Sequence, residues 1–275
     1  MTCLPPAKIF DARDLRLRLL SAALLGPATL AAVWFGGWLL TALVAVAAVF
    51  LSREWGAMSA PRRPARVTAA VIAAVLVAVA FAAFERWLGG WIALGVGVLV
   101  AAAVARGFGE RKSDAAFGAM YIGAPCLLVL WLRAGEGGAA WLLALFLIVW
   151  AADGGAYFAG KTIGGPKLWP RFSPNKTWAG FVGGLVAAGA AGLAHCAVIG
   201  PQLSFVSALS LGVLTGAAAM AGDLWESMLK RRFGVKDSGD LIPGHGGLLD
   251  RVDGLMFAAF VVTAFRLAET RGALP

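Results

Sequence analysis

What most constrains this chain is how little of it is suited to water. Apolar runs follow one another from end to end, roughly at 17–34, 36–52, 67–84, 90–106, 115–132, 139–159, 178–198, 204–224 and 252–268. A helix needs about 20 apolar residues to cross a bilayer. The chain therefore reads as an all-α, polytopic integral membrane protein of about nine transmembrane helices with polar cytoplasmic loops. The hydrophobic share of 60% and mean hydropathy of +0.80 lie far above those of soluble domains. The first two runs are parted only by Phe35, Gly36 and Gly37. Because a second run follows the first directly and no small-residue cleavage site is evident, the N-terminus is expected to stay on. Cys3, Cys126 and Cys196 are widely spaced and suggest neither a disulfide framework nor a zinc site.

A net charge of +9 suits nucleic acid in principle, but the placement of the charge points elsewhere. With the N-terminus inside and nine spans, all of the 24 bases but Arg86, Arg133, Arg266 and Arg271 fall on cytoplasmic segments. This is the positive-inside pattern of a multi-pass protein of the inner (cytoplasmic) membrane, with the N-terminus and the polar loops 160–177 and 230–250 cytoplasmic. The lipid bilayer, and no nucleic acid, is the implied partner.

Charge is concentrated between Gly222 and Gly254, where Asp223, Glu226, Asp237, Asp240, Asp250 and Asp253 alternate with Lys230, Arg231, Arg232, Lys236 and Arg251 around His245. In a chain only 14% charged, this is the segment to explain. On a helix Asp223, Glu226, Ser227, Lys230 and Arg231 share one stripe. The stretch GVKDSGDLIPGHGG is too rich in Gly and Pro for helix or strand and is predicted to be an irregular loop. Asp250 and Asp253, three apart, share a side of the next helix. Two helix ends thus turn carboxylates toward one loop, an arrangement suited to Mg²⁺ held by carboxylates and substrate phosphates. A plain positive-inside loop accounts for the bases, but not for an acid inside an apolar run.

The sixth span carries a second polar set, Asp153, Tyr157 and Lys161, four apart on one face near its cytoplasmic end. An ionisable group at that depth is a functional hypothesis by default; local pairing of Asp153 with Lys161 is the alternative. The following GPKLWPRFSPNKTWAGF reads as a loop. Thr177 opens the next helix with Lys176 before it, and a helix N-terminus plus a lysine makes a phosphate site; contact with lipid head groups is the alternative. His195, at the far end of the seventh span, reads as interfacial. Arg53, Glu54 and Trp55 read as an interface anchor of the aromatic-belt kind. Spans three to five, rich in Ala, Val and Gly, read as scaffold. This divides the chain into an N-terminal transmembrane scaffold of about five spans (1–135) and a catalytic transmembrane region (136–275) with cytoplasmic loops 160–177 and 230–250. No internal repeat supports a transporter, and the charges gather at one edge rather than along a path.

Ser227, Lys230, Arg231, Lys236, Asp237, Gly239, Pro243, Gly244, His245, Gly246, Gly247, Asp250, Arg251 and Asp253 fit the pattern S-x-x-K-R-x-x-x-x-K-D-x-G-x-x-x-P-G-H-G-G-x-x-D-R-x-D. This resembles the hallmark of the phosphatidate cytidylyltransferases (CDP-diacylglycerol synthases). Ser173, Pro174, Lys176, Thr177 and Gly180 resemble that family's second motif. The resemblance covers the last 125 or so residues well, and the earlier ones only as generic spans. It implies that phosphatidate attacks the α-phosphorus of CTP in line, giving CDP-diacylglycerol and pyrophosphate with Mg²⁺ required and a second ion, divalent or K⁺, at the same site. By position, Asp223, Asp250 and Asp253 would bind metal, and Asp237 would bind metal or orient Lys236. Lys230, Arg231, Lys236 and Arg251 would neutralise phosphates, with Lys161 and Lys176 approaching from the other loop. Ser227, Asp153 and His245 would hydrogen-bond substrate; Tyr157, Ser173 and Thr177 fall in the same substrate-binding set. Glycines Gly244, Gly246 and Gly247 would let backbone come close. A homodimer is also implied. Transfer of CMP to another lipid phosphate, or a CTP-dependent lipid kinase, is the nearest alternative.

Overall fold

A computed structural model describes residues 26–200, 202–239 and 246–273. The described part of helix α1 is Gly26–Phe35. It is followed by α2 (Gly37–Ser59), α3 (Pro64–Ala83), α4 (Trp87–Gly107), α5 (Lys112–Arg133) and α6 (Gly138–Thr162), then strands β1 (Lys167–Trp169) and β2 (Ser173–Thr177), then α7 (Trp178–Val198), α8 (Phe205–Arg232) and α9 (Leu249–Thr270). Every apolar run that falls within the described residues lies on a helix. Seven of the described helices, α2 to α8, are long and apolar enough to cross a membrane. Helix α9 is 22 residues long but carries Asp250, Arg251 and Asp253 at one end and Arg266 and Glu269 at the other.

Helices α2 to α5 pack among themselves, α6 to α9 do likewise, and α5 touches both α6 and α9. Helix α5 is the most enclosed of the spans. Small residues set the closest approaches, as expected where van der Waals fit rather than water exclusion joins helices. A Cβ on Gly155 of α6 would lie 2.5 Å from Ala187 Cβ and 2.8 Å from Gly183 O of α7. Large apolar side chains such as Leu88, Leu99, Val186, Val198 and Val206 face outward, as a lipid environment allows.

At the end of the bundle where α1 and α5 finish, two arginines close helix C-termini. Arg133 donates to the carbonyls of Val33 and Trp34, at 2.7 and 2.8 Å. Arg266 donates to those of Trp131, Leu132, Ala134 and Glu136. The last carbonyls of a helix have no partner within it, and a cation there also complements the helix dipole.

The segment between α6 and α7, expected to be a loop, carries a hairpin. Strands β1 and β2 pair antiparallel, with Lys167 opposite Thr177 and Trp169 opposite Ser173 across an irregular register. The ring of Phe172 packs edge-on against Trp169, centroids 5.2 Å apart. Trp178 N–H donates to Pro166 O at 3.0 Å, tying the base of the hairpin to α7. Pro166 precedes β1, Pro170 lies in the turn, and Pro174 is the second residue of β2, a strand with an open edge in this two-stranded sheet.

Candidate active site

Helix α8 runs past the predicted apolar limit to Arg232, carrying one polar stripe from Asp223 at the end of the apolar stretch to Glu226 and Lys230 beyond it. It crosses α9 at two glycines. A Cβ on Gly222 would lie 2.5 Å from Asp253 O, and one on Gly254 would lie 3.0 Å from Ala219 O. This backbone-close crossing brings the acids of the two helices together.

Lys230 Nζ donates to Glu226 Oε2 at 3.0 Å and pairs with Asp250. Asp250 Oδ2 accepts from Ser238 N–H at 3.1 Å, Ser238 Oγ at 3.0 Å and Gly247 N–H at 3.1 Å. Gly246 takes φ +79°, a conformation that side chains resist, and a Cβ on Gly247 would run into Ser238 Oγ and Glu54 Oε2. Two of the three predicted close-approach glycines therefore have a steric reason here. Gly244 and His245 lie outside the described residues.

Glu226 is 1% exposed. Its Oε1 finds no donor among the described residues, and the carboxyl of Asp253 lies within hydrogen-bonding reach of the Glu226 side chain. Two acceptors side by side need a cation or a proton between them. Oxygen donors of this kind suit a hard cation or a shared proton. Among the described residues, however, no three His, Cys, Asp or Glu side chains close into a ready-made metal cage.

The second motif reaches the same place. Thr177 caps α7, its Oγ1 accepting from Gly180 N–H at 3.1 Å, which is the predicted helix start. Lys176, at the end of β2, forms an ion pair with Asp223. Asp153 of α6 lies within electrostatic range of both. Lys161 does not pair with Asp153 in the hydrogen-bond pattern; its Nζ donates to Tyr157 Oη at 3.3 Å on an exposed face. Ser173 opens β2 opposite Trp169. Ser227 is half-buried on α8, and Lys236 and Asp237 are exposed on the turn after it. Arg231 is exposed, donating to Val235 O at 3.4 Å. Arg251 is exposed in the first turn of α9.

The anchor reading of Glu54 and Trp55 is corrected. Trp55 is fully buried, its Nε1 donating to Asp114 O at 3.0 Å and its ring set among Phe117, Tyr121 and Phe233. Glu54 Oε1 accepts from Leu248 N–H and Glu54 Oε2 from Leu249 N–H, each at 2.7 Å, and Oε2 also faces Ser238 Oγ at 3.2 Å. A carboxylate on the orphan donors of a helix start stabilises it by about 0.5–2 kcal/mol. Asp114, opening α5, holds Arg232 at the end of α8, with Nη2 to Oδ1 at 2.6 Å. The predicted scaffold thus supplies acids to the site. An acid beside basic residues at a helix end gives no sequence signal that sets it apart from an interfacial one. Glu226 stood on the predicted stripe but outside the candidate set.

Fold and site together define a multi-pass membrane protein with a polar centre of acids and lysines at one end of a helical bundle. The chain belongs to the cytidylyltransferase family, whose profile matches residues 16–268. Among its relatives is the phosphatidate cytidylyltransferase of Brucella suis biovar 1 (strain 1330), 38% identical over 256 residues that make up 92% of this chain and 93% of that one. The phosphatidate cytidylyltransferase of Haemophilus influenzae (strain ATCC 51907 / DSM 11121 / KW20 / Rd) is 47% identical over 122 residues, 42% of each chain. That of Staphylococcus aureus (strain COL) is 47% identical over 120 residues, 44% of this chain and 46% of the relative.

Proposed function

We propose that this protein transfers the cytidylyl group of CTP to phosphatidate, giving CDP-diacylglycerol and pyrophosphate for phospholipid synthesis. A phosphate oxygen of phosphatidate forms the new bond to the α-phosphorus as the bond from that phosphorus to the bridging oxygen of the leaving pyrophosphate breaks. The observation that carries this reading is the Lys176–Asp223 ion pair, which joins the SPNKT segment to the acids of α8 and α9. Full-length likeness to a relative bearing that activity in its name supports it.

In such transfers the protein mainly positions groups and offsets charge. A nucleoside triphosphate brings about four negative charges, and a lipid phosphate one or two more. In this reading Lys176, Lys230, Arg231, Lys236 and Arg251 face those charges, with Lys161 at the rim. Ser227, Ser173, Thr177, Asp153 and Tyr157 orient substrate. Mg²⁺ would be held by Asp223, Asp253 and Asp250, beside the unmatched oxygen of Glu226, and would supply charge neutralisation on the phosphates; a second ion, divalent or K⁺, belongs to the same proposal, as does a metal or lysine-orienting role for Asp237. The lipid phosphate is already anionic near neutral pH, so no strong base is demanded and His245 has at most a binding role. The reading includes nine membrane crossings in the inner membrane, N-terminus and site on the cytoplasmic side, and a homodimer.

The test is purified protein in detergent with labelled CTP, Mg²⁺ and phosphatidate, assayed for CDP-diacylglycerol. Label is expected in the lipid, lost on chelation and cut by about tenfold or more by Asp223→Asn and by Asp250→Asn. Transfer that persists in both variants removes the metal assignment, and no transfer by the wild-type chain removes the reaction.

A further inference from the structure

We infer that Glu54 is a positioning residue for the transfer site, acting from α2 through the loop that carries Ser238 and Gly247 onto Asp250. The inference rests on the reaction proposed above for its kinetic part only. Glu54 is 6% exposed, and both of its oxygens are engaged. They receive the N–H groups of Leu248 and Leu249, at 2.7 Å each, where α9 begins. One of them also faces the hydroxyl of Ser238, whose single proton lies between the carboxylates of Glu54, at 3.2 Å, and Asp250, at 3.0 Å. Asp250 takes its other donors, Ser238 N–H and Gly247 N–H, from the same short stretch of backbone.

The consequence is a chain of fixed geometry. Glu54 sets the start of α9 and the Ser238 turn; these set the rotamer of Asp250; and Asp250 fixes Lys230 against Glu226. The next residue of α2 steadies the other end of the same loop. Trp55 backs Asp114, and Asp114 holds Arg232 as α8 ends. Two neighbours on α2 thus hold both ends of the segment that joins the acid-bearing helices. A carboxylate is required at this place. It accepts from two amides at once, whereas the amide of glutamine would oppose one N–H with another donor.

The test uses the full-length purified protein with Glu54→Gln, Glu54→Ala and Glu54→Asp. In Glu54→Gln, kcat for CDP-diacylglycerol formation is expected to fall about 100-fold, the scale of a small misplacement at a reacting centre, with KM for phosphatidate unchanged. Glu54→Asp, which keeps the charge, is expected to recover part of kcat. A merely structural role gives a different result, a loss that tracks the folded fraction while kcat per folded molecule stays at the wild-type value; that result overturns the inference. Hydrogen exchange provides a readout independent of turnover. In Glu54→Gln the amides of Leu248 and Leu249 are expected to lose protection while those of α8 keep it. Unchanged protection at these two amides overturns the inference even if the chain catalyses another reaction. No turnover by the wild-type protein, with the exchange result as expected, would count against the reaction and leave the positioning role standing.

Discussion

Lys176, the penultimate residue of β2, pairs with Asp223 on α8, so two segments far apart in the sequence meet at one point. Neither partner is deeply enclosed, with side-chain exposures of 26% and 41%. The Lys176 ammonium itself is enclosed, however, so the pair is open to a ligand from the Asp223 side. Lys176→Met is expected to raise KM for CTP, and Asp223→Asn to lower kcat, each by about tenfold or more. In the double variant the losses should combine to less than their product, because each single change already disrupts the shared contact. Steady-state kinetics of the four proteins checks this; strictly multiplicative losses would mean the two residues act separately.

The ion pair between Arg232 and Asp114 is lopsided, with side-chain exposures of 47% and 5%. Losing the arginine strands a carboxylate in the interior, whereas losing the carboxylate leaves a guanidinium that water can reach. Arg232→Met is thus expected to destabilise the protein by about 1–3 kcal/mol and Asp114→Asn by less. Thermal unfolding in one detergent compares the two. The reverse order would show that Asp114 has another donor in solution.

Gly222 meets the backbone of Asp253, not a movable side chain. Gly222→Ala must therefore push α9 away from α8, at a cost of about 1–3 kcal/mol. The same shift parts Asp223 and Glu226 from Asp253, so transfer is expected to fall further than the folded fraction does. Activity per folded molecule, measured alongside unfolding, separates the two effects.

Arg266 gathers carbonyl groups where α5 ends, at the opposite end of the bundle from Asp250. A lysine offers a point charge in place of a planar fork. Arg266→Lys is expected to lower stability nearly as much as Arg266→Met, by about 1–3 kcal/mol, with kcat per folded molecule unchanged. A lysine variant as stable as the wild type would reduce the contact to simple charge.

The helices were legible because hydrophobic runs of bilayer length leave little else to form, and the run at 178–198 matches α7 from end to end. Helix ends were less so. Apolar content stops near 224, but the backbone of α8 continues until Phe233 and Gly234, the latter at φ +74°, turn the chain away. Of the candidate site, the pairing of α8 and α9 acids could be read from spacing, as could the cap at Thr177. Glu54 could not. Its partners are backbone N–H groups, which carry no residue identity, and Leu248 lies 194 residues away in the chain. The hairpin was hidden because Gly and Pro dominate its flanks while β1 itself is only three residues long.

That long separation bears on how the molecule is made. Chains emerge N-terminus first, so Glu54 enters the membrane region long before the two amides it receives have been synthesised. Until α9 is made, its carboxylate lacks those two donors, and the site stays open. Completion of the polar centre therefore waits on the synthesis of α9. A ribosome stalled before α9 would hold a bundle with its spans in place and its reactive corner unbuilt.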